Sequence, residues 1–350
     1  MLKVNSNLMF RFKKIFKDLK FGVLKPKVFI ILFGLFFSSL AFAAALTVTW
    51  KGALIPGGNN NGPISGCTSS HNGNALDRDR TTDPSDVQFS DDGLQVFTTN
   101  MQSSTLANNT LSMNRLGTPF EILTERIRSG SSDCNDLDGT HPRTLSSNAL
   151  QAELENLNIV DGGKIFFILD SDGELAKFNA RTPFDITTLA YERRLSFADN
   201  IDSVSFNRDG TKLFTLLSTN NTPTLTTFSL PGPFDISSTT QVHQVDLTTN
   251  GIIDTDGENE NARDIEFNSN GSAMFIMISN DDDLENQWIY QYSLGKNYDV
   301  STAEKVGRWH IGAVFMNRAA DDRFGQPRGF SFSSDGMKMF IVEIKGSTGV

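Results

Sequence analysis

The sequence predicts an all-β protein, a β-propeller of four-stranded blades with about five repeats visible and the last one incomplete. Three observations lead to this prediction. A hairpin pattern centred on glycine recurs five times, an aromatic landmark follows each of the first four copies, and further alternating stretches complete each unit. Units of four short antiparallel strands, with turn glycines 48 to 69 residues apart, are typical of propeller blades.

The hairpin consists of an apolar alternation, a turn at glycine and a second apolar alternation that ends in Phe. One clear copy runs from Val204 to Phe214 as Val-Ser-Phe-Asn-Arg-Asp-Gly-Thr-Lys-Leu-Phe. Period-two alternation buries one face of a strand, and Asp-Gly or Asn-Gly supplies the positive φ angles of a tight turn. The second copy keeps only its later half, and Asn158 stands where the other copies have their leading Phe. The turn glycines are Gly93, Gly162, Gly210, Gly271 and Gly336.

The aromatic landmark reads Pro-Phe-Asp-Ile or a close variant, and it follows the turn glycine by 22 to 27 residues. Its aromatic residues are Phe120, Phe184, Phe234 and Tyr298. Alternating stretches on either side of it, such as 224–230 and 241–247, predict the third and fourth strands of a unit. A β-sandwich with accidental internal similarity is the alternative, and the periodic motifs favour the repeat fold.

The hairpin Phe-Ser/Asn-x-Asp/Asn-Gly-x-Lys-x-Phe, followed by Pro-Phe-Asp-Ile-Ser, resembles the repeat of secreted bacterial β-propeller proteins. The resemblance covers residues 84–350 and implies a fold more firmly than an activity, because propellers host unrelated functions. The chain ends at Val350, soon after the fifth hairpin, where two more strands are expected. We expect truncation or incomplete closure of the ring; alternatively, residues 46–50 (Leu-Thr-Val-Thr-Trp) supply a missing strand and remove an exposed edge.

The chain divides into a signal peptide (1–43), an N-terminal strand with a Gly/Asn-rich loop (44–83) and the propeller repeats (84–350). A basic stretch precedes an apolar run at 28–37, and Ala-Phe-Ala at 41–43 provides a small-residue cleavage site. The run is short for a membrane span, which favours cleavage over an uncleaved anchor. The sequence therefore predicts export to the periplasm, the cell surface or the exterior, with no membrane span after cleavage.

The charge of the exported part limits its partners. Residues 1–43 hold eight of the 31 basic residues and one of the 41 acidic residues, which leaves 23 basic and 40 acidic residues and a net charge of −17. Such a surface disfavours nucleic acid and anionic lipid, and it leaves cations, basic surfaces or neutral glycans as partners. The only cysteines, Cys67 and Cys134, lie in polar loops and are expected to form one disulfide in an exported chain.

The starts of the leading strands provide candidate ligand-binding residues. In a propeller the first strand of each blade lines the central channel, so residues at these positions converge there. Such a ring, with both signs of charge, could bind a polar ligand or a cation. A structural salt-bridge network is the alternative, because ion pairs commonly serve structure. The candidates are Asp86, Asp202, Arg263, Asp264 and Arg328.

Acidic loops provide candidate metal ligands. Calcium takes six to eight oxygen ligands and favours alternating carboxylates around glycine. The best candidate is the loop 254–260, Asp-Thr-Asp-Gly-Glu-Asn-Glu, although its spacing completes no EF-hand. Hydrated turns, in which Asp and Asn bond to the local backbone, are the alternative. The candidate calcium ligands are Asp254, Asp256, Glu258 and Glu260.

Signals for catalysis are few. The sequence has no Gly-x-Ser-x-Gly elbow, no phosphate-binding glycine loop and no His-Glu-x-x-His helix. The leading hypothesis is therefore an exported, non-enzymatic protein that binds a protein or glycan partner on a propeller scaffold. One alternative is a metal-assisted hydrolase or lyase that holds a calcium-type ion at the channel mouth. Another is a repeat module of a larger surface adhesin.

Overall fold

A computed structural model describes residues 84–100, 110–120, 143–144, 150, 152–219, 222–248, 260–280, 287–311 and 325–345. The predicted signal peptide and the segment 44–83, with its expected strand at 46–50, lie outside these residues. Cys67 and Cys134 lie outside them as well, so the disulfide stays a prediction. No helix within the described ranges is long and apolar enough to cross a membrane.

The described residues form five antiparallel sheets in chain order, which are the blades of a β-propeller. Four blades have four strands, as the sequence predicts, and the described part of the fifth has two. In blade 1 the strands are β1 (Pro84–Phe89), β2 (Gln95–Asn100), β3 (Thr110–Arg115) and β4 (Arg143–Thr144). In blade 2 they are β5 (Leu154–Val160), β6 (Ile165–Asp170), β7 (Glu174–Ala180) and β8 (Leu189–Ser196).

The remaining blades follow the same order from the leading strand outwards. Blade 3 contains β9 (Ser203–Phe206), β10 (Lys212–Thr219), β11 (Thr222–Ser229) and β12 (Thr240–Asp246). Blade 4 contains β13 (Glu260–Phe267), β14 (Ala273–Asn280), β15 (Gln287–Leu294) and β16 (Ala303–His310). Blade 5 contains β17 (Gly325–Phe332) and β18 (Met339–Lys345).

Five apolar clusters hold the ring together, one between each pair of neighbouring blades. The two Phe residues of the repeated hairpin meet at four of these five junctions. The second Phe of one hairpin packs on the first Phe of the next, with ring centroids 4.3 to 4.7 Å apart. Aromatic pairs at such distances add to the free energy gained from burial alone. The pairs are Phe167 with Phe206, Phe214 with Phe267, Phe275 with Phe332, and Phe340 with Phe89.

The last of these pairs joins blade 5 to blade 1. A hydrogen bond at the same junction runs from Lys338 Nζ to the Phe120 carbonyl oxygen (3.2 Å). The Lys of the repeat motif has the same role between blades 3 and 4, where Lys212 Nζ donates to the Tyr298 carbonyl oxygen (2.9 Å). Within the described residues, the five blades therefore follow one another around the axis without a gap between the fifth and the first.

The aromatic landmark and the turn glycine of each hairpin contact one another. Phe120, Phe184, Phe234 and Tyr298 all have φ between 54° and 59°, and each backbone N–H donates to the carbonyl oxygen of the turn glycine (2.8–2.9 Å). The aromatic ring then lies where a Cβ on that glycine would be. The two motifs recur together because the ring requires a residue without a side chain beneath it, and the turn requires a positive φ.

The hairpin of blade 2 differs by one residue from the alignment that the sequence predicts. The ring of Phe184 lies over Gly163 and not over Gly162. Ile159 pairs with Phe166 as Phe206 pairs with Leu213, so Ile159 and not Asn158 occupies the position of the leading Phe. The sequence has two consecutive glycines at this turn, and the prediction that Gly162 is the turn glycine is wrong. Blade 2 is a complete blade whose leading strand is shifted by one residue from the predicted alignment.

Gly271 and Gly336 have nearly the same φ, 70° and 68°, but only Gly271 has an aromatic ring against it. Alanine variants of the two therefore distinguish the cost of a positive φ from the cost of a steric clash. The Gly271→Ala variant is expected to lose about 3 kcal/mol of unfolding free energy, because the new methyl group adds the φ cost of about 1 kcal/mol to a clash with the Tyr298 ring. Gly336 has φ of 68° and nothing within 4 Å of the new Cβ, so Gly336→Ala is expected to lose only about 1 kcal/mol. Urea denaturation of both variants measures the difference, and equal losses would contradict this account of the landmark.

Candidate functional site

The leading strands of four blades have an irregular register near their start. Pairing shifts by one residue between Pro84 and Asp86, Leu154 and Asn156, Ala262 and Asp264, and Pro327 and Gly329. A bulge of this kind re-aims the extra side chain away from the regular alternation. The skipped residues, with Asp202 just before β9, line one shallow cavity. We call them the mouth ring: Ser85, Glu155, Asp202, Arg263 and Arg328.

The mouth ring takes one side chain from every blade and lines a cavity of about 10 Å³, which has room for about one water molecule. Its charged groups lie close together: Arg263 Nη1 is 3.9 Å from Asp202 Oδ1, and the two side chains are only 12% and 20% exposed. Asp202 Oδ2 also accepts a hydrogen bond from the Ser218 backbone N–H (2.6 Å). Arg328 Nη2 donates to Gln326 Oε1 (2.8 Å). The mouth therefore presents guanidinium groups that protein contacts hold in place.

Glu155 is the second carboxyl group of the mouth ring. Burial and the neighbouring Asp202 raise the pKa of Glu155, Arg328 and Arg263 offset part of the effect, and the resulting pKa is about 8. At neutral pH this carboxyl group keeps its proton, so it can donate a hydrogen bond.

One residue further along each leading strand, a second set of residues closes the channel. We call it the inner ring: Asp86, Asn156, Ser203, Asp264 and Gly329. Asp86 Oδ2 accepts from the Leu157 backbone N–H (2.8 Å) and from Asn156 Nδ2 (2.9 Å). Asn156 Oδ1 accepts from the Val204 N–H (3.3 Å), which links blade 2 to blade 3. Each of these contacts joins one blade to the next.

Asp264 continues the inner ring from blade 3 to blade 5. Its Oδ1 accepts from Ser203 Oγ (2.7 Å), and its Oδ2 accepts from the Phe330 backbone N–H (2.9 Å). The fifth inner-ring position is Gly329, where a Cβ would lie 2.5 Å from Asp86 Oδ1 and 2.8 Å from the Ser85 carbonyl oxygen. The chain therefore needs glycine here, because Asp86 already fills the space.

A third level lies below the inner ring, where Gln88 Nε2 donates to Glu266 Oε1 (2.9 Å) from blade 1 to blade 4. Burial and the nearby Asp264 raise the pKa of Glu266 to about 8. Burial also raises the pKa of Asp264 to about 6, and it raises that of Asp86 well above its usual value, with Asp264 adding to the effect. The channel thus holds several desolvated carboxyl groups one above another.

The five residues that the sequence suggested as ligand-binding divide between two levels. Asp202, Arg263 and Arg328 lie together in the mouth ring. Asp86 and Asp264 lie below them, 1% and 2% exposed, with oxygens that accept hydrogen bonds from neighbouring blades. These hydrogen bonds join neighbouring blades, and the ligand-binding role of the two aspartates stays a prediction.

The candidate calcium ligands Asp254, Asp256 and Glu258 lie outside the described residues, and Glu260 is the first residue of β13. Among the residues that the structure does describe, no group of three or more His, Cys, Asp or Glu side chains is placed to hold a metal ion. The calcium site at 254–260 therefore stays a prediction.

Glu155 is absent from the predicted site residues because of the alignment of blade 2. With Asn158 taken as the counterpart of the leading Phe, the position equivalent to Arg263 falls on Leu154, which is an ordinary buried residue. With Ile159 in that place, the equivalent position is Glu155. Ile159 is apolar, as the leading Phe of the other copies is, and Asn158 is not. Aligning the apolar alternation of β5 on Ile159 would therefore have predicted Glu155.

No family model matches the sequence, and no curated protein matches it. Solved structures with a similar fold include a Bacteroides uniformis protein named provisionally as a 6-phosphogluconolactonase (16% identity, TM-score 0.41, 74% of this chain and 63% of that protein). A Bacteroides fragilis protein with the same provisional name has 16% identity and a TM-score of 0.43, over 74% of this chain and 76% of that one.

The Swd1 β-propeller domain of Myceliophteria thermophila is 10% identical, with a TM-score of 0.40 over 75% of this chain and 63% of that one. The chain thus spans less than two thirds of this domain and of the B. uniformis protein. At these identities the similarity concerns the fold alone, and TM-scores below 0.5 carry no argument about activity.

Proposed function

We propose that this chain is an exported, non-enzymatic binding protein that receives a polar group of a protein or glycan partner at the mouth ring. One observation carries the proposal: each of the five blades contributes a polar side chain to a single small cavity at the channel mouth. Binding sites are typically concave and hold a few convergent polar groups that fix orientation.

Two further features support a binding role. The inner ring closes the channel directly below the mouth ring, so a ligand enters from one side and goes no deeper. A rigid ring held by five apolar clusters also keeps the mouth residues in fixed positions, which lowers the entropic cost of binding. Export is supported by the basic stretch, apolar run and cleavage site at 1–43.

Affinity capture tests the proposal. The purified chain is expected to retain a partner from envelope protein extracts or on a glycan array, and Arg328→Gln is expected to reduce that retention at least tenfold. Arg193→Gln, the same substitution on the outer strand β8, serves as the matched control and is expected to retain the partner as the wild type does. Blank results on both supports, together with hydrolysis of a substrate panel, would favour an enzyme instead.

A further inference from the structure

Blade 5 differs from the other four blades in its outer half. Blades 1 to 4 have four strands each, whereas the described residues of blade 5 form only β17 and β18. In an antiparallel pair, every second residue of a strand directs its backbone N–H and C=O away from the partner strand. The outer edge of β18 therefore carries backbone donors and acceptors that no described strand pairs with.

The side chains of β18 are more exposed than those of the equivalent strands. In β2, the second strand of blade 1, Val96 and Phe97 are fully buried. In β18 the residues 339–342, Met-Phe-Ile-Val, are all only partly buried, and Met337 just before the strand is 81% exposed. An edge strand with apolar side chains on both faces is a template for pairing with another chain.

The position of the landmark ring supplies a second comparison between the blades. In blades 1, 3 and 4 the landmark ring packs on the first Phe of its own hairpin and on the second Phe of the preceding hairpin. In blade 3, for example, the ring centroid of Phe234 lies 5.8 Å from that of Phe206 and 6.4 Å from that of Phe167. The groups that surround the same position in blade 5 are Gly336, Phe332 and Phe275.

These three groups are in place, but the ring that they would receive is not found among the described residues. Phe275 and Phe332 lie 4.7 Å apart, centroid to centroid, and Gly336 has the positive φ of the other turn glycines. Gly336 is exposed, whereas the turn glycines of blades 1 to 4 are buried. In those blades the nearest ring atom lies 2.2–2.6 Å from a Cβ placed on the glycine, and no described residue comes within 4 Å of a Cβ on Gly336.

The other blades show which kind of segment fits this edge. The third strand pairs with the second, as β11 pairs with β10, and the landmark ring follows closely: Phe234 is the fifth residue after Ser229, where β11 ends. A fitting segment is therefore an extended stretch with an aromatic residue four or five positions after it. The landmark occurs four times in the sequence, and each copy already rests on the turn glycine of its own blade.

We propose that the outer edge of β18 binds an extended segment of a partner protein by β-strand addition, and that an aromatic side chain of this segment rests on Gly336 against Phe275 and Phe332. In this mode the main-chain hydrogen bonds provide affinity, and the position that receives a side chain provides specificity. The surface is separate from the mouth ring, because Arg328 lies near the start of β17 and Gly336 follows its end. The inference therefore goes beyond the proposed function and does not depend on it.

A peptide with the sequence of residues 222–237, which contains β11 and Phe234, is the probe. Isothermal titration calorimetry with the purified chain measures its affinity, and hydrogen exchange with mass spectrometry locates its site. The peptide is expected to bind with a dissociation constant below about 1 mM and to slow the exchange of the β18 amides. A peptide with Phe234→Ala is expected to bind about tenfold or more weakly, because it lacks the aromatic ring.

Variants of the chain test the same contact from the other side. Gly336→Ala is expected to weaken binding of the peptide about tenfold or more, because the new methyl group takes the place of the ring. Gly162→Ala is the matched control: Gly162 also has a positive φ (61°), with no described residue within 4 Å of a Cβ, and it lies in the hairpin of blade 2. This control is expected to bind the peptide as the wild type does.

Three results would overturn the inference. The first is a peptide that does not bind, and the second is binding that changes neither with Phe234→Ala in the peptide nor with Gly336→Ala in the chain. The third is slow exchange of the β18 amides before any peptide is added, because residues of the same chain would then cover the edge. None of these results affects the mouth ring, since partner capture with Arg328→Gln is measured separately.

Discussion

Replacing Asp264 with alanine is expected to lower the free energy of unfolding by about 2–4 kcal/mol, measured by urea denaturation at pH 7. Asp264 accepts hydrogen bonds from Phe330 N–H (2.9 Å), from Ile265 N–H (2.8 Å) and from Ser203 Oγ (2.7 Å), and it is 2% exposed. Alanine leaves these donors buried without an acceptor, and each unsatisfied donor costs about 1–3 kcal/mol. The loss of repulsion with Asp86 and Glu266 offsets part of that cost.

Two further variants separate hydrogen bonding from charge. Asp264→Asn removes the negative charge and keeps one carbonyl acceptor, so its loss is expected to lie between those of the wild type and Asp264→Ala. Asp209→Ala serves as the control, because Asp209 lies in the exposed hairpin turn and accepts only local hydrogen bonds. An Asp264→Ala variant as stable as Asp209→Ala would show that the inner ring does not hold the blades together.

The free energy of unfolding is expected to fall as the pH rises from 6 to 8, which is unusual for a chain rich in exposed carboxylates. The folded state raises the pKa of Glu155 and of Glu266 to about 8 each, whereas an unfolded glutamate ionises near 4.5. Between these values the folded chain holds protons that the unfolded chain releases, so a higher pH favours unfolding. The stabilisation is complete below about pH 4.5 and is lost as the pH passes 8.

The Glu266→Gln variant isolates one of these groups. Because glutamine cannot ionise, the variant is expected to lose about 2–3 kcal/mol less than the wild type between pH 6 and pH 9, at about 1.4 kcal/mol per pH unit. Glutamine can also still accept the hydrogen bond from Gln88, so the contact across the channel is kept. Urea denaturation at pH 6, 7, 8 and 9 measures both slopes, and parallel curves for the wild type and the variant would contradict the assignment.

At lower pH the opposite effect begins. Hydrogen bonds from Ser, Thr and backbone groups lower the pKa of Asp92, Asp209 and Asp335 in the hairpin turns. Protonating these groups removes stabilisation only as the pH falls below about 4, because their unfolded pKa lies there. The channel carboxyl groups therefore govern the pH dependence of stability above pH 6, and the turn aspartates govern it in acid.

The periodic sequence was enough to predict the blades. The alternation around Gly210, for example, forces one face of two strands to be apolar, and that face has to pack on a neighbouring copy. The aromatic landmark was recognised as a repeat, but its contact with the turn glycine was not foreseen. A ring at positive φ that rests on a glycine more than twenty residues away is a tertiary contact, and no local pattern reports it.

The candidate site was predicted in part, and the omission has a physical cause. Asp202, Arg263 and Arg328 were found because the start of a leading strand lines the channel in any propeller. Glu155 was missed because the choice between two adjacent glycines shifts every assigned position in the preceding strand β5 by one residue, to the other face of the strand. The separation of a mouth ring from an inner ring depends on the bulges, which only the strand pairing reveals.

The sequence by itself determined the fold class, the four-stranded unit and some of the residues that approach the axis, because periodicity two and turn glycines are local properties of the chain. Only the tertiary structure decided which of those residues face a cavity and which tie the blades together. Neighbouring positions such as Arg263 and Asp264 differ in this respect, because a bulge directs one to the mouth and leaves the other within hydrogen-bonding distance of two other blades.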